Sequence, residues 1–241
     1  MTGRLLFFCL LSSSLSFGQG TSTHQSLYWI RYYNQTQLSS KYTLHFEVDE
    51  RRQINPDIQF QLFAHAHLHR RFSKLIDVAA GFTYATTNSS KNPNLAVPEF
   101  RPFQEINFSQ PISKKIQLQF RYRFDQRFIR NNDKIELTDG YTFSFRHRFR
   151  LQCSMTVKKY ESGKTIIVKL SDEIMLSQGS NAPNSFDQNR VYAGVEFQFN
   201  KKWAVELGYL NQYQSASGNN YFARDIMRWT VFHRLSLLKT E

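Results

Sequence analysis

Apolar and polar residues alternate with a period of two along most of the chain from Ser26 onward. That period is the mark of strands with one greasy and one polar face. Phe60, Leu62, Ala64, Ala66 and Leu68 alternate with Gln59, Gln61, His65, His67 and His69, and Phe63 is the break. Ile116, Leu118, Phe120, Tyr122 and Phe124 alternate with Gln117, Gln119, Arg121, Arg123 and Asp125. Phe143, Phe145, Phe149 and Leu151 oppose Ser144, Arg146, Arg148, Arg150 and Gln152, with His147 interrupting the apolar side. Weaker copies run through 42–48, 78–84, 106–108, 166–170, 191–199, 203–209 and 227–237, and no segment holds a helical stripe. The clearest segments approach the roughly 9–11 residues of a tilted transmembrane strand. Soluble sandwiches and lipocalin-like barrels share the alternation, so strand length, aromatic ends and an export signal favour a membrane barrel.

The connectors differ in length, as in an up-and-down meander through a membrane. Segments 111–115 and 200–202 are tight and read as periplasmic turns, whereas 88–101, 129–140, 177–187 and 214–223 read as extracellular loops. Counting the N-terminal region near 28–37 gives eleven strand candidates. Single-chain bacterial barrels have an even number, so one strand is expected to be missed or spurious, with 28–37 the suspect. The expected fold is all-β, an up-and-down antiparallel transmembrane β-barrel of about 10–12 strands. Residues 19–241 form its single domain.

Composition narrows the class further. The 241 residues carry 31 Lys+Arg against 19 Asp+Glu, a net charge of +12, with 41% hydrophobic residues. The pI is about 9.8 and the mean hydropathy −0.51. Such a chain is too apolar for a disordered polymer and too polar for a helical membrane bundle. Residues 1–18 read as a cleaved export signal, with Arg4 ahead of an apolar core from Leu5 to Leu11 and small residues at Ser16 and Gly18. Cys9 and Cys153 are the two cysteines, which excludes a disulfide framework and a cysteine-based zinc module. The basic residues alternate with apolar ones instead of forming a patch, which argues against nucleic-acid binding.

The polar parity carries Arg51, Arg121, Arg123, Arg127, Arg146, Arg148, Arg150, Lys169, Arg190, Arg228 and Arg234. Against them stand Glu47, Asp49, Glu105, Asp125, Glu173, Glu196 and Glu206. This excess of positive charge reads as a small channel with a basic lumen drawing in small anionic solutes. The competing expectation is a structural or interaction barrel whose lumen is closed by Arg–carboxylate pairs. His65, His67 and His69 share one strand face and could hold zinc or copper if a neighbouring strand adds a ligand. A resident cofactor is not expected. An outer-membrane hydrolase is the least favoured reading, because there is no G-x-S-x-G elbow and strand parity yields no Ser–His–Asp grouping.

Phe186-Asp187-Gln188-Asn189-Arg190-Val191-Tyr192-Ala193-Gly194-Val195 is followed by Trp203-Ala204-Val205-Glu206-Leu207-Gly208-Tyr209-Leu210-Asn211-Gln212. This pair of segments resembles the C-terminal signature of a Gram-negative outer-membrane family catalogued as domain of unknown function 2490. Arg146-His147-Arg148-Phe149-Arg150-Leu151 resembles its Arg-rich middle strand. The segment from Leu170 to Leu176 resembles its Ser-Asn-Glu strand, with Asp172 in place of the usual Asn. The resemblance covers most of the chain beyond residue 18. It implies an outer-membrane β-barrel, with lipid and the barrel assembly machinery as partners, and supplies no activity.

Overall fold

The structure, a computed structural model, describes residues 21–89, 92–179, 185–216 and 218–238. The expected export signal, 1–18, lies outside the described residues. Eleven strands form one closed barrel: β1 (Ser22–Gln37), β2 (Tyr42–Gln53), β3 (Gln59–Arg71), β4 (Ile76–Asn88), β5 (Ala96–Pro111), β6 (Ile116–Asn132), β7 (Leu137–Lys159), β8 (Thr165–Gln178), β9 (Phe186–Gln198), β10 (Trp203–Ser215) and β11 (Tyr221–Ser236). Each consecutive pair is antiparallel, and β1 closes on β11 in parallel from Ser22↔Tyr221 to Gln37↔Ser236.

This arrangement corrects the expected even strand count. Segment 28–37 is no spurious strand but most of β1, and no twelfth strand is required among the described residues. An odd number leaves the first and last strands pointing the same way, so the seam has to be parallel. The wide connectors also shrink, because strand pairing continues past the clear alternation. Within 88–101, β5 already begins at Ala96, and within 129–140, β6 runs to Asn132 and β7 starts at Leu137.

The links 38–41, 72–75, 112–115, 160–164 and 199–202 share one end of the barrel, and the other five links share the opposite end. At the first end a short polar side chain closes the turn on the backbone. Ser39, Ser73 and Ser113 each accept through Oγ from the amides two and three residues on, and Asn200 does the same through Oδ1. Lysines follow these caps at Lys41, Lys74, Lys114, Lys115, Lys201 and Lys202, so that rim is strongly basic.

Alternation assigns the two faces of the wall. Ile30, Leu44, Phe46, Leu68, Phe82, Phe108, Phe120, Leu151, Leu170, Val195, Leu207 and Trp229 are exposed on the outside. The opposite parity lines the interior with Arg, Gln, Glu and His. The two breaks in the sequence pattern are accommodated differently. Phe63 faces inward, 4% exposed, stacked on His65 with the Arg51 guanidinium 4.1 Å from its ring centroid. His147 faces outward, bonded to Tyr122 Oη at 2.9 Å and Gln178 Oε1 at 3.2 Å.

The seam can be tested directly. Tyr32 and Val231 are register partners across β1 and β11 on the outer face. With Cys153 replaced by Ser, the pair Tyr32→Cys and Val231→Cys should form a disulfide under mild oxidation, because neighbouring-strand spacing suits that bond. It would be read as a mobility change on a non-reducing denaturing gel. No cross-link in the folded protein would contradict the parallel closure.

Candidate functional site: a charged barrel interior

Eight-stranded barrels are filled by their side chains and barrels of 16 strands hold water, so eleven strands leave a small interior. That interior holds a cavity of about 750 Å³. Its lining extends from Gln37, Lys41 and Arg71 at the end of the capped turns to Gln61, Gln188 and Gln214 at the other end. Fifteen Arg and Lys residues line it against six Asp and Glu. Four further buried carboxylates, Glu99, Asp125, Asp187 and Glu196, pair with the same cations, leaving a positive excess of five.

Because a guanidinium loses its hydration inside the barrel, most of these cations share a carboxylate. Glu173 accepts two bonds from Arg148, at 3.1 and 3.0 Å, and a further bond from Arg121. Glu99 joins Arg101 at 2.8 Å and Arg127 at 2.6 Å. Asp125 joins Arg123 at 2.6 Å and lies 3.8 Å from Arg148, while Arg146 pairs with Asp187. Lys169 lies between Glu196 at 2.5 Å and Glu206 at 2.7 Å.

Three inward arginines bond instead to amides: Arg150 to Gln119, Arg190 to Gln188, and Arg224 to Gln25 and Gln214. Arg190 also lies over the Trp29 ring at 5.2 Å. Arg150 Nε, Arg228 Nε and Trp29 Nε1 are buried donors that lack an acceptor among the described residues. On the rim opposite the capped turns, Asp57 bonds Arg52 at 2.7 Å, which holds its carboxyl below the usual carboxylate range.

The histidine run separates. His65 Nδ1 bonds Thr83 Oγ1 at 2.6 Å, whereas His67 and His69 meet His45 of β2. His45 is the register partner of His67 and completes a group that the β3 sequence alone cannot supply. Arg31, Arg101, Glu99 and His45 all face inward and were missed by the sequence reading. Parity within 28–37 and 42–48 already places Arg31 and His45, the latter on the face of Glu47, whereas Glu99 and Arg101 need β5 extended into the segment read as a loop.

The sequence matches the family described as protein of unknown function (DUF2490) over residues 27–223. The chain belongs to that family. It is also 28% identical over 160 residues to an uncharacterized protein of Methylorubrum extorquens, with 64% of each chain covered. The chain therefore spans less than two thirds of that relative's length.

Within the DUF2490 region, the residues that carried the resemblance occupy both faces of β9 and β10. Asp187, Gln188, Arg190, Tyr192, Gly208 and Gln212 face the interior, where Asp187 and Gln188 are both buried beside a register shift against β8. Asn189, Tyr209 and Asn211 face outward. Asn189 donates to Asp172 Oδ1 at 2.6 Å, while Tyr209 Oη and Asn211 Nδ2 both donate to Asp225. Glu206 accepts from Tyr192 Oη at 2.6 Å and from Arg228 at 2.9 Å, and Arg228 lies 3.8 Å over the Tyr192 ring. Tyr192 lies flat along the inner wall because Gly194 and Gly208 flank it. A Cβ on either glycine would come within 2.2 Å of Tyr192 Oη.

Two substitutions test this construction. Gly208→Ala should cost about 1–3 kcal/mol by overpacking against Tyr192, measured by urea unfolding in detergent. Glu173→Gln should cost more, about 3–5 kcal/mol, because the buried Arg148 and Arg121 lose their shared counter-charge.

Proposed function

We propose that this DUF2490 protein is an outer-membrane β-barrel whose narrow basic lumen admits small anions. The observation that carries the reading is the charge imbalance of the interior, with fifteen cationic residues lining the cavity against ten carboxylates that line it or pair with them. Like charges within low-dielectric walls focus the field and raise the local concentration of counter-ions. Arg150 and Arg190 line the cavity and bond to amides, which leaves their charge available to a mobile anion. The outer wall supports the membrane reading. Strands of 12 or more residues at about 3.3 Å each, tilted, cover an apolar band of ~25 Å.

In this reading the capped turns face the periplasm and the opposite links face outward. The protein reaches the outer membrane through a cleaved signal and the barrel assembly machinery, and lipid packs on Phe46, Phe120, Leu207 and the like. The proposal is of a passage rather than an enzyme. Among the described residues no serine hydroxyl is hydrogen-bonded to an imidazole, the contact that a Ser–His pair would need. A second reading, a closed structural barrel, is favoured by the shared carboxylates Glu173, Glu99 and Asp125, which fix opposing side chains in the lumen.

Planar-bilayer recording of the refolded protein tests the passage. Under a KCl gradient a stable unitary current should reverse on the anion-selective side, and Arg190→Gln should weaken that preference while leaving assembly intact. Absence of current from correctly folded protein would overturn the passage in favour of the closed barrel. Arg148→Gln is the less informative change, since it also removes one of Glu173's two cationic partners.

Membrane placement has its own test. Phe145→Arg puts a charge on the outer face of β7, at about 2–4 kcal/mol near the bilayer midplane. It should reduce the heat-shifted gel form recovered in the membrane fraction. Recovery of the unaltered protein mainly in the soluble periplasmic fraction would reject the outer-membrane reading.

A further inference from the structure

We infer that His45, His67 and His69 form a binding site for a divalent transition-metal ion of the zinc class, open to the barrel lumen. The inference does not depend on whether the lumen conducts. The topology brings the three residues together in a way the sequence conceals. His67 and His69 are two apart on β3 and so share the inner face, and His45 stands directly opposite His67 on β2. One ligand atom from each ring lies within 4.8 Å of the others. His67 Nδ1 and His69 Nε2 are 2.9 Å apart, so in the metal-free state a single proton bridges them. Bonds of about 2.0–2.1 Å to one ion would set such nitrogens roughly 3.3 Å apart in tetrahedral geometry. Small ring rotations therefore convert the proton bridge to a metal bridge.

Two of the three remaining ring nitrogens are already held. His69 Nδ1 bonds Asp77 Oδ1 at 2.8 Å, and Asp77 Oδ1 accepts from Asn107 Nδ2 at 3.1 Å. This is the carboxylate–histidine arrangement that fixes the tautomer and orientation of a metal-bound imidazole. His45 Nδ1 bonds Tyr33 Oη at 2.7 Å, which leaves the other nitrogen of that ring, Nε2, as the ligand atom for the ion. Room for His67 comes from Gly81, its register partner on β4. A Cβ there would lie 2.3 Å from His67 Cβ and 2.5 Å from the Ala66 carbonyl oxygen.

Chemistry selects the ion. Three neutral imidazoles without a thiolate suit Zn²⁺ or Cu²⁺ and leave a fourth position for water or an anion. That position faces the lumen, because all three rings line the cavity. His45 and His67 are each only 8% exposed, so an ion would be reached through the lumen and not from the outer face. The site lies close to the end of the capped turns, where Arg71 ends β3 and Tyr42 begins β2.

His65 supplies the control, since it lies on the same face of β3 but is bonded to Thr83. The experiment is calorimetric titration of the full-length refolded chain, free of any affinity tag, with Zn²⁺. One equivalent should bind. His45→Gln and His69→Gln should each weaken it at least tenfold, Asp77→Asn should weaken it about 10–100-fold, and His65→Gln should leave it unchanged. Co²⁺ in place of Zn²⁺ should give the intense visible bands of a tetrahedral site in the wild type and lose them in His45→Gln. Failure of the wild type to bind one equivalent overturns the inference. So does an equal loss with His65→Gln, which would mean non-specific uptake by lumenal imidazoles. If His45→Gln does not assemble, Asp77→Asn and the wild-type cobalt spectrum decide the matter by themselves.

Discussion

A β-sheet that does not close leaves two edges of unpaired N–H and C=O groups, and in an apolar environment each such group costs several kcal/mol. The pairing of β1 with β11 removes both edges from this chain. The relations between strands depend on that closure. With eleven strands it makes that pairing parallel. It also commits alternate residues of every strand to a single shared interior, where they can meet across several strands. Leu27 and Trp29 of β1, Tyr192 of β9, Leu210 of β10 and Ile226 of β11 form an apolar cluster inside the barrel only because the seam joins the two chain ends.

An interior of this width is too narrow for bulk water to screen its charges and too wide for apolar side chains to fill without large residues. The protein fills it with arginine. A planar guanidinium can bond two carboxylate oxygens and stack on an aromatic ring at once. Arg51 bonds Asp49 at 2.8 Å with its Cζ 3.7 Å from the Trp29 ring centroid, and Arg123 bonds Asp125 with its Cζ 3.5 Å from that of Phe103. Arg150 and Arg190, which also line the cavity, bond instead to neutral amides.

The histidine group illustrates how a sheet makes a site. Residues two apart on a strand are some 7 Å apart along the chain, too far for both to bind one ion unless their rings lean together. A cross-strand neighbour about 5 Å away supplies the third donor. Here the lean is set by Asp77 behind His69, and the space by Gly81 opposite His67.

The sequence by itself determined the alternating segments at the heart of the strands, their inward and outward faces, and the concentration of arginine on the inner face. A period of two is a local property that survives any closure. Phe145 and Leu151 lie on one parity and Arg146, Arg148 and Arg150 on the other whatever the neighbouring strand is. What only the tertiary structure decided was every relation between strands. These include the parallel seam, the withdrawal of His65 to Thr83 in favour of His45, the sharing of Glu173 by Arg148 and Arg121, and the flat seat of Tyr192 between Gly194 and Gly208. The physical reason is register. Shifting a strand by two residues against its neighbour leaves both faces unchanged, yet it replaces every cross-strand partner, and a residue's own sequence neighbours do not record which register was adopted.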